Sequence, residues 1–274
     1  MADVRIETAD DPRVAEYRDV ADPELLRSRG LFVAEGRLVV RRVIGHARFN
    51  VRSLLLSDAA RLALAPDLAR LLPSVPIFIC ATGLFEQLTG YNIHRGCLAL
   101  VERGRPSSVD DVIENARLVV VLEDVANADN VGGVFRNAAA FGADGVLLTP
   151  SSCDPLYRKA IRTSMAASLT IPTARTEDWP GALTTLKSRG FTIVALTPAE
   201  FAETLDTFAK RPRPTRIALL AGAEETGLSE AAMVRADRRV RIPIQPDVDS
   251  LNLAVAVGIA LSRLSTLTIA SDLA

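Results

Sequence analysis

Three stretches far apart in the chain put small or polar residues where a strand should hand over to a helix. They are Asn127 to Ala143 (NADNVGGVFRNAAAFGA), Leu219 to Ser229 (LLAGAEETGLS) and Ile242 to Ala256 (IPIQPDVDSLNLAVA). In the first, Asn130 is placed to cap a helix that begins near Val131, and Gly132 and Gly133 leave its first turn bare, with backbone N–H groups open to an incoming group. Val131, Val134, Phe135, Ala138 and Ala139 follow helical spacing and form a buried stripe. Arg136 falls off that stripe, one turn from Gly132 and one from Ala140. A guanidinium there suits a phosphate or a developing anion. A capped amphipathic helix with one exposed Arg is the plain structural alternative.

The second stretch ends an apolar strand at Gly222, which permits close backbone approach to a ligand, and Gly227 permits a sharp turn into the next helix. Glu224 is placed to hold an Arg or a sugar hydroxyl, although any polar strand-to-helix loop has this look. In the third stretch Ser250 is placed to cap the terminal helix. Asn252 then interrupts the run Leu251, Leu253, Ala254, Val255, Ala256, Val257. A buried amide without partners costs about 1–3 kcal/mol, so Asn252 is expected to face a site or a loop and not the packed core.

The elements that would position these residues follow from periodicity. Short β-rich runs (Leu31 to Gly36, Val51 to Ser57, Val75 to Cys80, Cys97 to Glu102) alternate with helical stretches such as Asp58 to Leu72, which argues for a small α/β sandwich. Arg103 to Asp111 (RGRPSSVDD) breaks both patterns and reads as a linker, giving domains 1–105 and 106–274. Beyond it come Arg117 to Glu123, Gly145 to Thr149, Phe191 to Leu196, Ile217 to Gly222 and Arg239 to Ile244, separated by helical segments, the last of them Ser250 to Leu267. Near-continuous apolar strands spaced by helices imply a parallel sheet covered on both faces, and ligands of such sheets sit beyond the carboxyl ends of the strands. The three stretches fall there.

Composition narrows the function classes. Of 274 residues, 49% are apolar and 24% charged, as in ordinary globular proteins. Three cysteines without a CxxC pair and two histidines, His46 and His94, leave too few soft ligands for a zinc site, and a reducing, cytoplasmic setting is expected. The N-terminus lacks an apolar signal-peptide core, and Asn252, Ser262 and Arg263 interrupt the apolar run Leu251 to Ala270, which reads as a buried helix and not a membrane span. The net charge of -1 gives no global sign of nucleic acid. Locally, Leu25 to Ser57 holds Arg27, Arg29, Arg37, Arg41, Arg42, Arg48 and Arg52 against the single acid Glu35. That segment suits phosphate contacts, and equally a solvated helix face.

Taken together, the three stretches resemble the motifs of the SpoU/TrmH family of RNA ribose 2'-O-methyltransferases, in the SPOUT superfamily, over most of residues 117–267. The family's motif residues land on Asn130 and Arg136, on Gly222 and Glu224, and on Ser250, Leu251 and Asn252; Ala223 stands where many members carry Asn. The first half resembles the family's L30e-like substrate-binding extension through RGLFVAEGRLVVRRVI and HRGCLALVE. The resemblance implies a parallel α/β domain with a C-terminal trefoil knot, acting as a homodimer. It implies S-adenosylmethionine held largely by main-chain groups around Thr197, Gly222, Ile242 and Leu251. It also implies catalysis by Arg136, Asn130, Glu224, Ser250 and Asn252, without a metal.

The implied reaction is in-line attack by a ribose 2'-hydroxyl on a sulfonium methyl, in which alignment supplies much of the acceleration. Arg136 either gives up its proton in a special environment or stays cationic and stabilises the oxyanion. For substrate capture, Asp154 and Pro155 are placed to start a helix that carries Arg158 and Arg162 on one face beside Lys159; Tyr157 could stack on a base, and Ser164 could line the target pocket. Arg41 and Arg42 of the basic segment join them, with a solvated basic helix as the alternative. The expected partner is RNA, ribosomal by family analogy, with neither DNA nor membrane. A catalytically silent RNA-binding paralogue is the rival, although it would be expected to have lost one of Asn130, Arg136, Glu224 or Asn252. A Rossmann-type nucleotide enzyme would need a phosphate-cradling Gly loop after its first strand, and EDVANADN does not provide one.

Overall fold

A computed structural model describes residues 3–18, 22–89 and 96–265, and among these residues stand twelve strands, the longer of them mostly formed by the apolar runs. They are β1 (Asp3–Arg5), β2 (Leu31–Glu35), β3 (Asn50–Leu56), β4 (Ile77–Ile79), β5 (Cys97–Glu102), β6 (Leu118–Glu123), β7 (Gly145–Leu148), β8 (Thr173–Arg175), β9 (Thr192–Leu196), β10 (Glu203–Thr204), β11 (Ile217–Gly222) and β12 (Arg238–Arg241). His94 and Arg95, and positions 266–270 of the terminal apolar run, lie outside the described residues.

The chain divides into two units, Met1–Pro106 with Leu156–Leu169, and Ser107–Pro155 with Thr170–Ala274. In the first unit the strand order is β1-β4-β3-β5-β2, with β1, β4 and β3 parallel and β5 antiparallel to both its neighbours. Side chains alternate across this sheet. Phe32, Ala34, Leu54, Leu56, Ala99 and Val101 belong to one core, and Leu31, Val33, Leu55, Leu98 and Leu100 to a second. A sheet covered on both faces explains runs without polar alternation. Leu156, Ile161, Ala166 and Leu169 pack into the first of these cores, and the Arg158 Nε donates to Asp22 at 2.6 Å. A segment within 106–274 therefore belongs with the first sheet, unlike the contiguous division drawn from the linker.

The second unit has a seven-stranded sheet, ordered β10-β12-β9-β11-β6-β7-β8, with every pairing parallel. Val119, Val121, Ile193, Ala218 and Leu220 form one core on it. Val120, Leu122, Val194 and Leu219, pointing the other way, are also buried. Because the strands run parallel, the ends at Leu196, Gly222 and Arg241 share one edge of the sheet, where ligands of such folds bind.

Several boundaries differ from the periodic reading for local reasons. Asp58 to Leu72 forms two short helices, Asp58–Ala63 and Ala65–Leu68, because Pro66 lacks an N–H and its ring clashes with the preceding turn. The linker contains the start of the Val109–Ile113 helix, fixed by a capping box in which Asp111 N–H donates to Ser108 Oγ at 3.1 Å and Ser108 N–H to Asp111 Oδ2 at 2.8 Å. Strand β12 stops at Arg241, two residues before Pro243, which has no N–H to offer a ladder. Strands β1, β8 and β10 are two or three residues long, too short to show periodicity. No described helix is long and apolar enough to cross a membrane.

Candidate functional site

Beyond the carboxyl ends of β9, β11 and β12 lies a cavity of about 380 Å³. Its walls come from three segments: Leu196, Thr197 and Pro198 after β9; Gly222 to Leu228 after β11; and Ile242, Ile244, Ser250, Leu251, Leu253 and Ala256 after β12. Thr197, Gly222, Ile242 and Leu251 all line it, as do Glu224 and Ser250. The loop after β11 turns back tightly on itself. Gly227 has φ +66°, its N–H donates to Ala223 O at 2.9 Å, and a Cβ at Gly222 would stand 2.2 Å from the Gly227 carbonyl carbon. Gly222 is thus required first by closure of its own loop, before any ligand approach.

Asn130, Glu224 and Asn252 are joined. The Asn252 side-chain amide donates to Asn130 Oδ1 at 2.9 Å and to Glu224 Oε1 at 2.9 Å, while its Oδ1 accepts from Ala254 N–H at 3.0 Å and Val255 N–H at 3.3 Å. Leu253 N–H also donates to Glu224 Oε1, at 3.4 Å. Two capping expectations are corrected. Asn252, not Ser250, is the N-cap of the Leu253–Leu264 helix, and Asn127, not Asn130, caps the Ala128–Phe141 helix by accepting from Asp129 N–H at 2.8 Å. Asn130 sits inside the first turn, buried, with its amide oxygen turned to Asn252. Asn252 does face a loop, as its place in an apolar run requires. Within the chain, Glu224 Oε1 holds an amide and a backbone N–H, and no Arg among the described residues.

The bare turn of the first motif also has another occupant. A Cβ at Gly133 would lie 2.6 Å from the Ala254 Cβ, and one at Gly258 would lie 2.8 Å from Asn137 Nδ2. Gly133 on the Ala128–Phe141 helix, with Ala254 and Gly258 one turn apart on the Leu253–Leu264 helix, lets the two helices cross closely, and Asn137 Nδ2 donates across the crossing to Ala254 O at 2.6 Å. Gly133 therefore admits a helix and not a ligand. Arg136 is exposed, forms no hydrogen bond or ion pair with another described residue, and does not line the cavity.

The expected substrate residues lie in the first unit. Arg41 donates to Asp67 and to Ala63 O, both at 2.9 Å, and Arg42 is exposed. The helix bearing Arg158 and Arg162 spans only Arg158–Thr163, with Tyr157 and not Asp154 at its N-cap. Arg158 is committed to Asp22, Tyr157 packs on the core of this unit, and Ser164 is buried, donating to Ile161 O at 2.9 Å. Arg162 and Lys159 stay exposed. Sequence reasoning missed Leu196, Leu228, Met233 and Ala256 as cavity walls, because each reads as an ordinary apolar position. Asn137 is also missed, though a polar residue between buried Val134 and Ala138 is a signal. Among the described residues no cluster of His, Cys, Asp or Glu could hold a metal ion.

A family model described as the SpoU rRNA Methylase family matches residues 117–262. An "Uncharacterized tRNA/rRNA methyltransferase" of Mycobacterium tuberculosis (strain ATCC 25618 / H37Rv) is 40% identical over 255 residues, covering 92% of this chain and 88% of that protein. Among solved structures, an AdoMet-bound rRNA methyltransferase from Sinorhizobium meliloti superposes with a TM-score of 0.80 at 23% identity, covering 96% of this chain and 97% of the other. The SpoU methyltransferase AviRb from Streptomyces viridochromogenes, in complex with AdoMet, gives 0.75 at 21% identity, covering 93% and 97%. At such identities these structures speak to the fold, an α/β architecture with the same parallel sheet. The extent of the family match and of the mycobacterial likeness assigns the sequence: this chain belongs to the SpoU rRNA methylase family.

Proposed function

We propose that the protein is an AdoMet-dependent RNA methyltransferase that modifies a ribose 2'-hydroxyl, in ribosomal RNA. The observation that carries this reading is the bonding of Asn130, Glu224 and Asn252, one from each motif, beside a cavity at the carboxyl edge of the sheet. The cavity's size lies within the range of about 300–1,000 Å³ typical of small-molecule pockets. Its donor set fits AdoMet: Leu196, Ile242 and Leu251 offer apolar walls for a purine, and Gly222 to Leu228 present peptide groups for polar edges. The group supplies an activated methyl on a sulfonium sulfur.

The chain's residues do the rest. Asn252 ties Glu224 to Asn130, so the three motif segments hold one geometry beside the cavity. Arg136, whose guanidinium has no acid partner among the described residues to neutralise it, stabilises the oxyanion that develops as the accepting hydroxyl gives up its proton to solvent water. Exposed Arg42, Lys159 and Arg162 contact RNA phosphates, and Arg41 adds charge while tied to Asp67. The knot belongs to the same reading. It is supported by β12 lying outside β9 while the helix that follows returns to the one after β6. A homodimer is supported by Val255 and Ile259, 51% and 36% exposed on the terminal helix, and light scattering at twice the chain mass tests it.

Incubation with methyl-labelled AdoMet and deproteinised RNA, followed by nucleoside mapping, tests the activity. Label on ribose O2' of ribosomal RNA is the expected result, and label on a base overturns the assigned chemistry. Arg136→Lys should keep measurable activity with an unchanged pH profile, while Arg136→Ala should lose about 100-fold or more. A shifted pH profile for Arg136→Lys would refute the electrostatic role in favour of a base.

A further inference from the structure

Glu123 ends β6 after five consecutive apolar residues and is buried, at 2% exposure. Its two carboxylate oxygens serve donors from distant segments: the indole Nε1–H of Trp179 donates to Oε1, and the backbone N–H of Ser229 donates to Oε2 at 2.9 Å. In the sheet Glu123 stands opposite Gly222, the first residue of the cavity loop. That loop runs from Gly222 through Gly227 to Leu228, all in the cavity wall, and leaves it at Ser229. One end of the loop is therefore fixed by the ladder between β6 and β11, and the other by the Glu123 carboxylate. Fixing both ends of a loop removes the conformations that a ligand would otherwise have to freeze out.

We infer that Glu123 is a positioning residue for cofactor binding, holding the cavity loop through Ser229, with Trp179 fixing its carboxylate. The inference rests on the AdoMet reading of the cavity. Two donors converge on one carboxylate, and a carboxamide has a single acceptor oxygen, so Glu123→Gln leaves one donor facing an N–H group. Trp179→Phe removes the indole donor, which frees the carboxamide oxygen of a Glu123→Gln, Trp179→Phe double variant to serve Ser229.

The test uses the full chain, with calorimetric titration of AdoMet, steady-state kinetics and emission of Trp179, the only tryptophan. In the wild type, AdoMet should change the emission with a midpoint at the calorimetric Kd. Glu123→Gln should raise the Kd and KM for AdoMet about tenfold, the loss of one charge-assisted hydrogen bond, leaving KM for RNA and kcat at saturating AdoMet in place. The double variant should recover to within about threefold of the wild type. Equal Kd values for wild type and Glu123→Gln, or a double variant no better than Glu123→Gln, would overturn the inference alone. If Glu123→Gln does not fold, Trp179→Phe decides: a Kd raised about threefold supports the role, and an unchanged Kd refutes it. A wild type without any heat of binding overturns the cofactor reading, and the inference with it.

Discussion

Asn252 performs two separable tasks, and substitution can divide them. Asn252→Ala removes the helix cap, worth about 1 kcal/mol, and strips the buried Asn130 oxygen of its donor, worth about 1–3 kcal/mol. Glu224 is exposed and returns to water at little cost, so the expected loss is about 2–4 kcal/mol. Asn252→Ser keeps an oxygen able to cap the helix but cannot reach Asn130 and Glu224, and should lose about 1 kcal/mol less than Ala. Urea unfolding followed by Trp179 emission reports on the second unit directly, because the only tryptophan lies there. Equal losses for the two variants would show that the cap contributes nothing. A loss under about 0.5 kcal/mol for Asn252→Ala would refute the claim that this amide joins the motifs.

Gly133→Ala should destabilise by about 1–3 kcal/mol, since its Cβ would meet Ala254 at 2.6 Å, and adding Ala254→Gly should restore most of the loss; calorimetric melting checks both. All three cysteines are buried, and burial pushes the thiols of Cys80 up to about 11 and Cys97 up to about 12, so a thiol reagent at pH 8 should label the native chain slowly and the urea-denatured chain completely. Because both folded values are raised, the thiols' contribution to stability is full below the unfolded value of about 8.5 and is lost as pH rises through the folded values. Unfolding midpoints measured from pH 8 upward should therefore fall.

The parallel sheet is legible in the chain because near-continuous apolar runs such as Leu118 to Leu122 make sense only when both faces are covered. Asn252 is legible as well, since an amide in an apolar run needs partners. Which partners it takes is not, because Asn130 lies 122 residues away and only the tertiary fold brings the two together. The helix caps are misread for a related reason. Asn127 and Asn130 both suit a cap, and a local pattern cannot say which of them a distant amide will claim. Gly133 shows the same limit, its bare position serving equally for a ligand or for a crossing helix until Ala254 is seen against it. Arg158 reads as a free cation in sequence, and Asp22, 136 positions earlier, takes it.

The central claim is that the three loop segments enclose one AdoMet site, and calorimetric titration of AdoMet into the wild type and Ala256→Phe tests it most directly. Ala256 lines the cavity, and a phenyl ring there would fill space that the ligand needs. One AdoMet per wild-type chain, with no heat for a folded Ala256→Phe, is the predicted result. Equal affinity in the two proteins, or no binding to the wild type, would contradict it.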